Sequence, residues 1–537
     1  MSLDTILNRP ALVANSLDAD IEKVNVVRRI SNHMKGLYHA TANSIRAVGV
    51  VSLATLVLGV VAEAGTYSGG TGEPNNPYLI STAADMNEIG AHPDDLDKHF
   101  KLMTDISLLD YTGEEFTIIG RDDELAFAGV FDGNDHRISN FTYNSTDKDW
   151  IGLFRFVNGE NAEIKNLGLI HAEVDARTEP RTAVGLLVGC NSGRITNCYV
   201  EEGNVTAYRV VGGLVGWNDG TITNCCVNSS RIIGNNSVGG LVGWNYGTIT
   251  NSYAAGCVTE DEEVIGGLVG GNFGTVIGCY ATNNVTGNDS VGGLVGRNSK
   301  FSIITNCYAT GSIIGETSVG GLTGTNWGGT IIHSYATGSV IGDSTVGGLA
   351  GWNGHSSEIT KCYATGSVTG ETLLGGLVGW NYGDGKITNS YATGSVTGND
   401  YVGGLVGWNY KDGKITKCYA TGGIEGTKMH IGGLLGSNTS ECGRNYECKY
   451  GIINHSYWDT ETSKQNTSDG GTGKTTTQMH QQLTFQDWDF INVWDIGENQ
   501  NYPYLRVHSA GDLNHDFYVN MLDFAVLADK WLRDNEE

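Results

Sequence analysis

Residues 401 to 422 read YVGGLVGWNYKDGKITKCYATG, and residues 373 to 394 read LLGGLVGWNYGDGKITNSYATG. Aligning this string along the chain on the first glycine of V-G-G-L-V-G gives Gly185, Gly212, Gly239, Gly266, Gly292, Gly320, Gly347, Gly375, Gly403 and Gly432, at spacings of 27, 27, 27, 26, 28, 27, 28, 28 and 29 residues. Copies at one near-fixed period mark stacked structural units. Each holds three short β-type stretches, as in VGGLVGW, TITNSYA and GSVTG, separated by Gly, Asn and Thr turns, with no helical periodicity between them. Three strands per coil suit a parallel β-helix, in which each coil pairs with the next and buries a continuous inner column. Ten coils at about 4.8 Å each make a rod of roughly 50 Å. The rival, a β-propeller, needs blades of about 40 residues and four strands.

Composition agrees. The 537 residues include 78 Gly and only 6 Pro, and Val, Ile, Thr and Tyr recur throughout, which excludes both disorder and helical bundles and predicts an all-β chain. With 33 basic and 59 acidic side chains the net charge is −26, which repels phosphate backbones and anionic membranes, so no nucleic-acid partner is expected. The long apolar run AVGVVSLATLVLGVV (47–61) follows Lys35 and Arg46 and precedes AEAG, whose Ala62 and Ala64 fit a small-residue cleavage site. This is a secretory signal pattern. At about 15 residues the run is short for a membrane span, so no stable span is expected after cleavage; an uncleaved anchor is the alternative reading. Met34 would make a conventional start for such a leader.

Several columns of the repeat bear chemistry-capable side chains. Six residues after each aligned glycine stands an asparagine: Asn191, Asn218, Asn245, Asn272, Asn298, Asn326, Asn353, Asn381, Asn409 and Asn438. Asparagine tolerates left-handed backbone angles and bonds its own kind in a stack, so this column is expected to be a structural ladder at a corner. Trp217, Trp244, Trp352, Trp380 and Trp408 precede it in five coils, and as an exposed strip they would stack on sugar rings. Buried, they would only seal the corner. The turn before six of the ten strings carries an acid, Glu262, Asp289, Glu316, Asp343, Glu371 and Asp400, either solvated turn residues or carboxylates whose mutual repulsion a calcium ion would relieve.

Of 11 cysteines, Cys198, Cys225, Cys279, Cys307, Cys362 and Cys418 share one repeat position with Ser252, Ser334, Ser390 and Ser456, and read as small stacked side chains. Cys442 and Cys448, in an inserted loop, are the best disulfide candidates. No catalytic motif is present. Asp122, Asp123, Asp132 and Asp135 near Arg121 and Arg137 are the nearest thing to a charged cluster, and no catalytic residue is assigned.

The strings of the form G-G-L-V-G-x-N-x-G-x-I-x-N-x-Y-A-T-G-x-V resemble GLUG repeats of secreted bacterial surface and adhesin-like proteins. PYLISTAADMNEIG (77–90) reads as a strand and a short amphipathic helix that would cover the open end of the rod, and FAGVFDGNDHRISNF (127–141) resembles the first coil of pectin-lyase-like β-helices. That resemblance implies right-handed coils. In GDLNHDFYVNMLDFAVLADKWL (511–532), Asp512, Asn514, Asp516, Asn520 and Asp523 fall at positions 1, 3, 5, 9 and 12 of an oxygen-ligand loop, with the Tyr518 carbonyl at 7. The stretch is similar to one repeat of a type I dockerin, implying bound Ca2+ and a cohesin-like partner, although Phe517 replaces the usual turn glycine and the family carries two repeats.

The expected organisation is a leader over 1–64, an N-terminal cap and first coils over 65–150, a GLUG-repeat β-helix over 151–457, the far end of the helix over 458–508 and a calcium loop with helix over 511–533. The expected function is that of an exported bacterial cell-surface or extracellular binding protein with a polysaccharide or surface-glycan ligand. A polysaccharide lyase or hydrolase on the same fold, and a purely structural stalk, are the alternatives.

Overall fold

The computed structural model describes residues 65–122, 124–144, 149–177, 183–439 and 450–506. The coil containing LLGGLVGWNYGDGKITNSYATG shows the unit. Its strands are Thr372–Gly375, Val378–Tyr382, Lys386–Thr388, Tyr391–Ala392 and Val396–Gly398. Each pairs in parallel with its counterpart one coil on: Trp380 opposite Trp408, Ile387 opposite Ile415, Tyr391 opposite Tyr419 and Val396 opposite Ile424. The chain is thus the expected all-β parallel solenoid, but each coil has five short segments where the sequence suggested three.

Two corners cut the longer stretches. TITNSYA bends at a left-handed residue, Asn389 (φ 48°) in this coil and Lys417 (φ 56°) in the next. VGGLVGW bends at the paired glycines, where backbone packs on backbone. A Cβ on Gly375 would lie 2.0 Å from the Val378 carbonyl oxygen, and one on Gly376 would lie 2.1 Å from the Gly404 carbonyl oxygen. No side chain fits there, which is why the string repeats its glycines.

The K-I-T segments form a 14-stranded ladder running from Tyr78–Ile80 to Ile452–Asn454, and the V-G-W-N segments form an 11-stranded ladder from Phe154–Val157 to Leu435–Ser437. The remaining segments make the third, broad face. In two coils they fuse into continuous strands, Cys226–Gly239 and Tyr253–Gly266. Inside runs one core. Ile222, Ile249, Val276, Ile304, Ile331, Ile359, Ile387 and Ile415 stack along a single column, all fully buried, and each contributes roughly 1.5–3 kcal/mol by burial.

At the N-terminal end the expected helix forms over Ala83–Ala91. Thr82 Oγ1 accepts from the Asp85 N–H at 3.1 Å and the Asp85 carboxylate accepts from the Thr82 N–H at 3.0 Å, a reciprocal capping box. Met86 and Ile89 point into the same core as Phe100 and Ile119, so the helix covers the first coil. At the other end Ser468 Oγ accepts the N–H groups of Leu434 (3.1 Å) and Leu435 (2.9 Å). The chain beyond residue 475 does not extend the rod. It folds back along the flank, ending in the only antiparallel strand pair among the described residues, Trp494–Asp495 with Tyr504–Leu505.

Candidate functional site

The solenoid positions side chains in columns, so its candidate sites are columns. The asparagine column is a continuous buried ladder. Asn191 Nδ2 donates to Asn218 Oδ1 at 2.7 Å, and the same bond repeats through Asn245, Asn272, Asn298, Asn326, Asn353, Asn381 and Asn409 to Asn438 at 2.7–2.9 Å. These residues are not in the left-handed region; that conformation belongs to the other asparagine of the repeat, as in Asn197 (φ 53°) and Asn224 (φ 54°). With the donor and acceptor of each amide engaged, the column stabilises stacking and offers nothing to a ligand.

The tryptophans flank this ladder on the outer side of their strand. Trp352, Trp380 and Trp408 are each 2% exposed and Trp244 is 5% exposed, while Trp217 is half-buried. A second ring, one or two residues after the invariant asparagine, covers them. Tyr246 stacks on Trp217 at 4.9 Å and on Phe273 at 4.5 Å. Farther along, Trp327 lies 4.9 Å from Trp352 and 4.0 Å from His355, and Tyr382 stands edge-on to Trp380 at 5.1 Å. One cation sits on this outer layer, the Lys411 ammonium, 5.0 Å from the rings of Tyr382 and Tyr410, while Arg297, buried in the tryptophan column itself, holds its guanidinium 5.3 Å from Trp327. The indoles therefore form the backing of an aromatic corner whose outer rings are the partly exposed Tyr246, Phe273, Trp327 and Tyr382 and the exposed His355.

A third column escaped the sequence reading. Tyr253, Tyr280, Tyr308, Tyr335, Tyr363, Tyr391 and Tyr419 stack with ring centroids 4.8–5.1 Å apart and planes within 2–6° of parallel. Their spacing of 27 or 28 residues in the Y-A-T-G strings was the available signal. The folded-back segment covers the C-terminal part of this ladder. Trp494 lies about 6 Å from both Tyr391 and Tyr419, its indole N–H donates to Asn389 Oδ1 at 3.3 Å, and the Tyr419 hydroxyl donates to the Pro503 carbonyl at 2.5 Å. Burial under this segment pushes the Tyr363 phenol up to about 12, the neighbouring Tyr335 adding to the effect.

The acidic turns stack only in part. The Asp343 N–H donates to the Glu316 carbonyl, that of Glu371 to Asp343 and that of Asp400 to Glu371, at 2.9–3.1 Å, whereas Asp289 is one residue out, pairing with Thr317. Glu316, Asp343 and Glu371 are exposed. Among the described residues no group of three or more His, Cys, Asp or Glu side chains is placed to hold a metal ion. The cysteine column is structural. Each sulfur donates to a nearby carbonyl and accepts a backbone N–H from the coil before, as for Cys279 N–H to Cys307 Sγ (3.4 Å), and serine takes the same place for Cys362 N–H to Ser390 Oγ (3.1 Å). In the N-terminal coils Asp132 accepts from Asn134 and Asn166, and Asp122 from the Glu124 and Leu125 N–H groups, so both carboxylates hold turns. The leader, Asp123, Glu262's side chain, Cys442, Cys448 and the calcium-loop residues Asp512, Asn514, Asp516, Tyr518, Asn520 and Asp523 lie outside the described residues.

Period, paired glycines and buried asparagine are together the mark of a named repeat. Eight stretches of the solenoid match the GLUG motif. The matched ranges are 181–206, 234–259, 261–286, 287–314, 315–341, 342–369, 370–397 and 398–425. Among similar proteins, one of Evansella cellulosilytica provisionally named a Gly-rich membrane protein is 39% identical over 145 residues, 26% of this chain and 16% of that protein. Halomucin of Haloquadratum walsbyi is 32% identical over 138 residues, 25% of this chain and 1% of Halomucin. The chain thus spans a small fraction of the length of these relatives. Among solved structures, one provisionally titled an immunoglobulin A1 protease from Bacteroides ovatus aligns over 49% of this chain and 86% of that one, at 22% identity and a TM-score of 0.39. No helix among the described residues is long and apolar enough to cross a membrane.

Proposed function

We propose that the GLUG-repeat solenoid is an extracellular or cell-surface binding rod that engages neutral glycans through the aromatic corner beside the asparagine ladder. The observation that carries this reading is the two-layer corner itself: buried indoles backing partly exposed rings in two groups, Tyr246 with Phe273 and Trp327 with His355 and Tyr382, separated at Ser299, with the Lys411 ammonium beside the second group. Flat rings on a rigid backing suit the apolar faces of pyranose units, and the backing removes the entropy cost of ordering them on binding. Two relatives bear names of a membrane protein and a mucin-like protein, which supports a surface setting. In this reading the C-terminal loop Asp512–Asp523 binds Ca2+ and anchors the rod through a cohesin-like partner.

The test is a glycan array probed with the full chain, with and without calcium, beside a Trp327→Ala/Tyr382→Ala variant and an Asp512→Ala/Asp523→Ala variant. The first pair is expected to abolish glycan signal without altering the solenoid; the second is expected to leave glycan signal intact and remove calcium binding by calorimetry. A structural stalk is the second reading, favoured by the burial of Trp244, Trp352, Trp380 and Trp408. It gains if the wild-type chain binds no glycan.

A further inference from the structure

Gly65, the first described residue, is held by a buried acid. Asp95, in the single helical turn Pro93–Asp95 that follows the capping helix, is 3% exposed. Its Oδ2 accepts the Gly65 backbone N–H at 2.8 Å and the Tyr67 hydroxyl at 2.9 Å. Among the described residues no lysine, arginine or histidine side chain pairs with it: in the same stretch Lys98 is bound to Asp97 at 3.1 Å and His92 to Glu88 at 2.8 Å. A carboxylate taken out of water is costly unless its charge is compensated. Two neutral donors compensate it only in part.

The residues that follow are tied down with it. The Ser68 N–H donates to the Leu79 carbonyl at 3.1 Å, the Leu79 N–H to the Gly69 carbonyl at 2.8 Å, and the Ser68 hydroxyl to the capping-box acid Asp85 at 2.7 Å. The Tyr67 ring lies 4.3 Å from Tyr78 and 5.6 Å from Phe100. Burial, with the Asp95 carboxylate beside it, raises the Tyr67 phenol above its ordinary value, so the hydroxyl stays a donor. A Cβ at residue 65 would lie 2.6 Å from that hydroxyl oxygen, so glycine is what lets both donors reach one carboxylate oxygen. The first residues of a domain are loose unless something holds them. Here Gly65, Tyr67, Ser68 and Gly69 are all held, and Gly65 directly follows the A-E-A string of residues 62–64.

We infer that the leader is removed between Ala64 and Gly65 and that Asp95 is the built-in receiver of the α-ammonium so released; this rests on export of the rod, not on its ligand. A leader peptidase hydrolyses the Ala64–Gly65 bond. The oxygen of water goes to the Ala64 carbonyl carbon, leaving a carboxylate, and both its protons go to the Gly65 nitrogen, leaving an ammonium. That nitrogen already lies 2.8 Å from Asp95 Oδ2. Cleavage turns it from a neutral donor into a cation, and a charge-assisted bond is roughly twice as strong as a neutral one. The precursor leaves the buried acid with neutral donors alone, whereas the processed chain completes an ion pair there. Processing thereby fastens the strand Tyr78–Ile80 and the helix Ala83–Ala91 over the first coil.

The full chain, expressed with its leader in a secreting bacterial host, provides the test: the N-terminus of the exported protein is sequenced and hydrogen exchange is followed over residues 78–102. The expected N-terminus is Gly65. Asp95→Asn is expected to speed exchange in the cap by about 10-fold or more. One extra glycine inserted between Ala64 and Gly65 moves the ammonium off the carboxylate but keeps the N–H, and is expected to speed exchange as well. Asp95→Asn added to that variant should then cost less than it does alone. An exported chain that begins at any other residue, or keeps its leader, overturns the inference and leaves export standing; a chain retained in the cytoplasm overturns both. Exchange unchanged by the inserted glycine, or Asp95→Asn costing as much with it as without, means that the charge contributes nothing and also overturns it.

Discussion

Asn381 donates from Nδ2 to Asn409 Oδ1 at 2.7 Å while its own Oδ1 accepts from Asn353 at 2.8 Å, and all three side chains are fully buried. One residue thus links three coils. Asn381→Ala removes both bonds and strands a donor on Asn353 and an acceptor on Asn409, each costing about 1–3 kcal/mol when unsatisfied. Urea denaturation is expected to show a loss of roughly 2–5 kcal/mol. Asn197→Gly, in the solvent-facing asparagine row that bonds Asn166 at 3.1 Å and Asn224 at 3.2 Å, keeps the left-handed backbone free of strain and is expected to cost only about 1 kcal/mol.

The glycines divide in the same way. Gly376→Ala places a methyl 2.1 Å from a carbonyl oxygen and 2.9 Å from the Ala392 methyl, and forces neighbouring coils apart. Overpacking of this kind costs about 1–3 kcal/mol or more. Gly383→Ala has φ +63° but nothing within 4 Å, so only the backbone penalty of about 1 kcal/mol applies. Thermal melts of the two variants should separate clearly.

Alkaline pH should loosen the rod. Burial raises the Cys362 and Cys418 thiols from 9.0 to about 12, and burial raises Tyr363 and Tyr502 from 10.0 to about 12, with the Asp459 carboxylate contributing at Tyr502. The unfolded chain releases these protons first, so stability is full below about pH 9 and is lost as pH rises towards 12. Denaturation midpoints measured across pH 8–12 should fall monotonically. The same burial protects the thiols: at pH 8 iodoacetamide should modify exposed Cys257 in the native chain and reach Cys362 and Cys418 only after unfolding.

Trp494→Ala should detach the folded-back segment 476–506. The ring is fully buried between Tyr391 and Tyr419, and truncating such a residue costs about 3–5 kcal/mol. Hydrogen exchange is expected to accelerate over 476–506 and over the strands bearing Tyr391 and Tyr419, with coils before residue 335 unchanged.

The solenoid was legible because stacking needs every coil to agree. Asn381 and its nine equivalents had to be the same residue for the ladder to run, and the inward cysteines gave way only to serine, the other small side chain that accepts the same N–H. The corner count was not legible, because Asn389, Lys417 and His333 share a left-handed conformation without sharing a residue type. Burial of the tryptophans was hidden for a similar reason: their covers, Tyr246, Phe273, Trp327, His355 and Tyr382, vary in identity and offset. The folded-back segment was beyond sequence reasoning altogether, since the contact of Trp494 with Asn389 joins residues 105 apart.

The rod itself is tested most directly by distance. Thr221 and Lys386 are exposed, and in-register pairing places them on one column, six coils apart, with Lys414 one coil beyond. Spin labels on Thr221→Cys/Lys386→Cys and Thr221→Cys/Lys414→Cys, in a background with Cys190, Cys226, Cys257, Cys442 and Cys448 replaced by serine, would be measured by double electron–electron resonance. At about 4.8 Å per coil the account predicts a separation of about 29 Å for the first pair and about 5 Å more for the second. Separations that fail to grow with each added coil would contradict it.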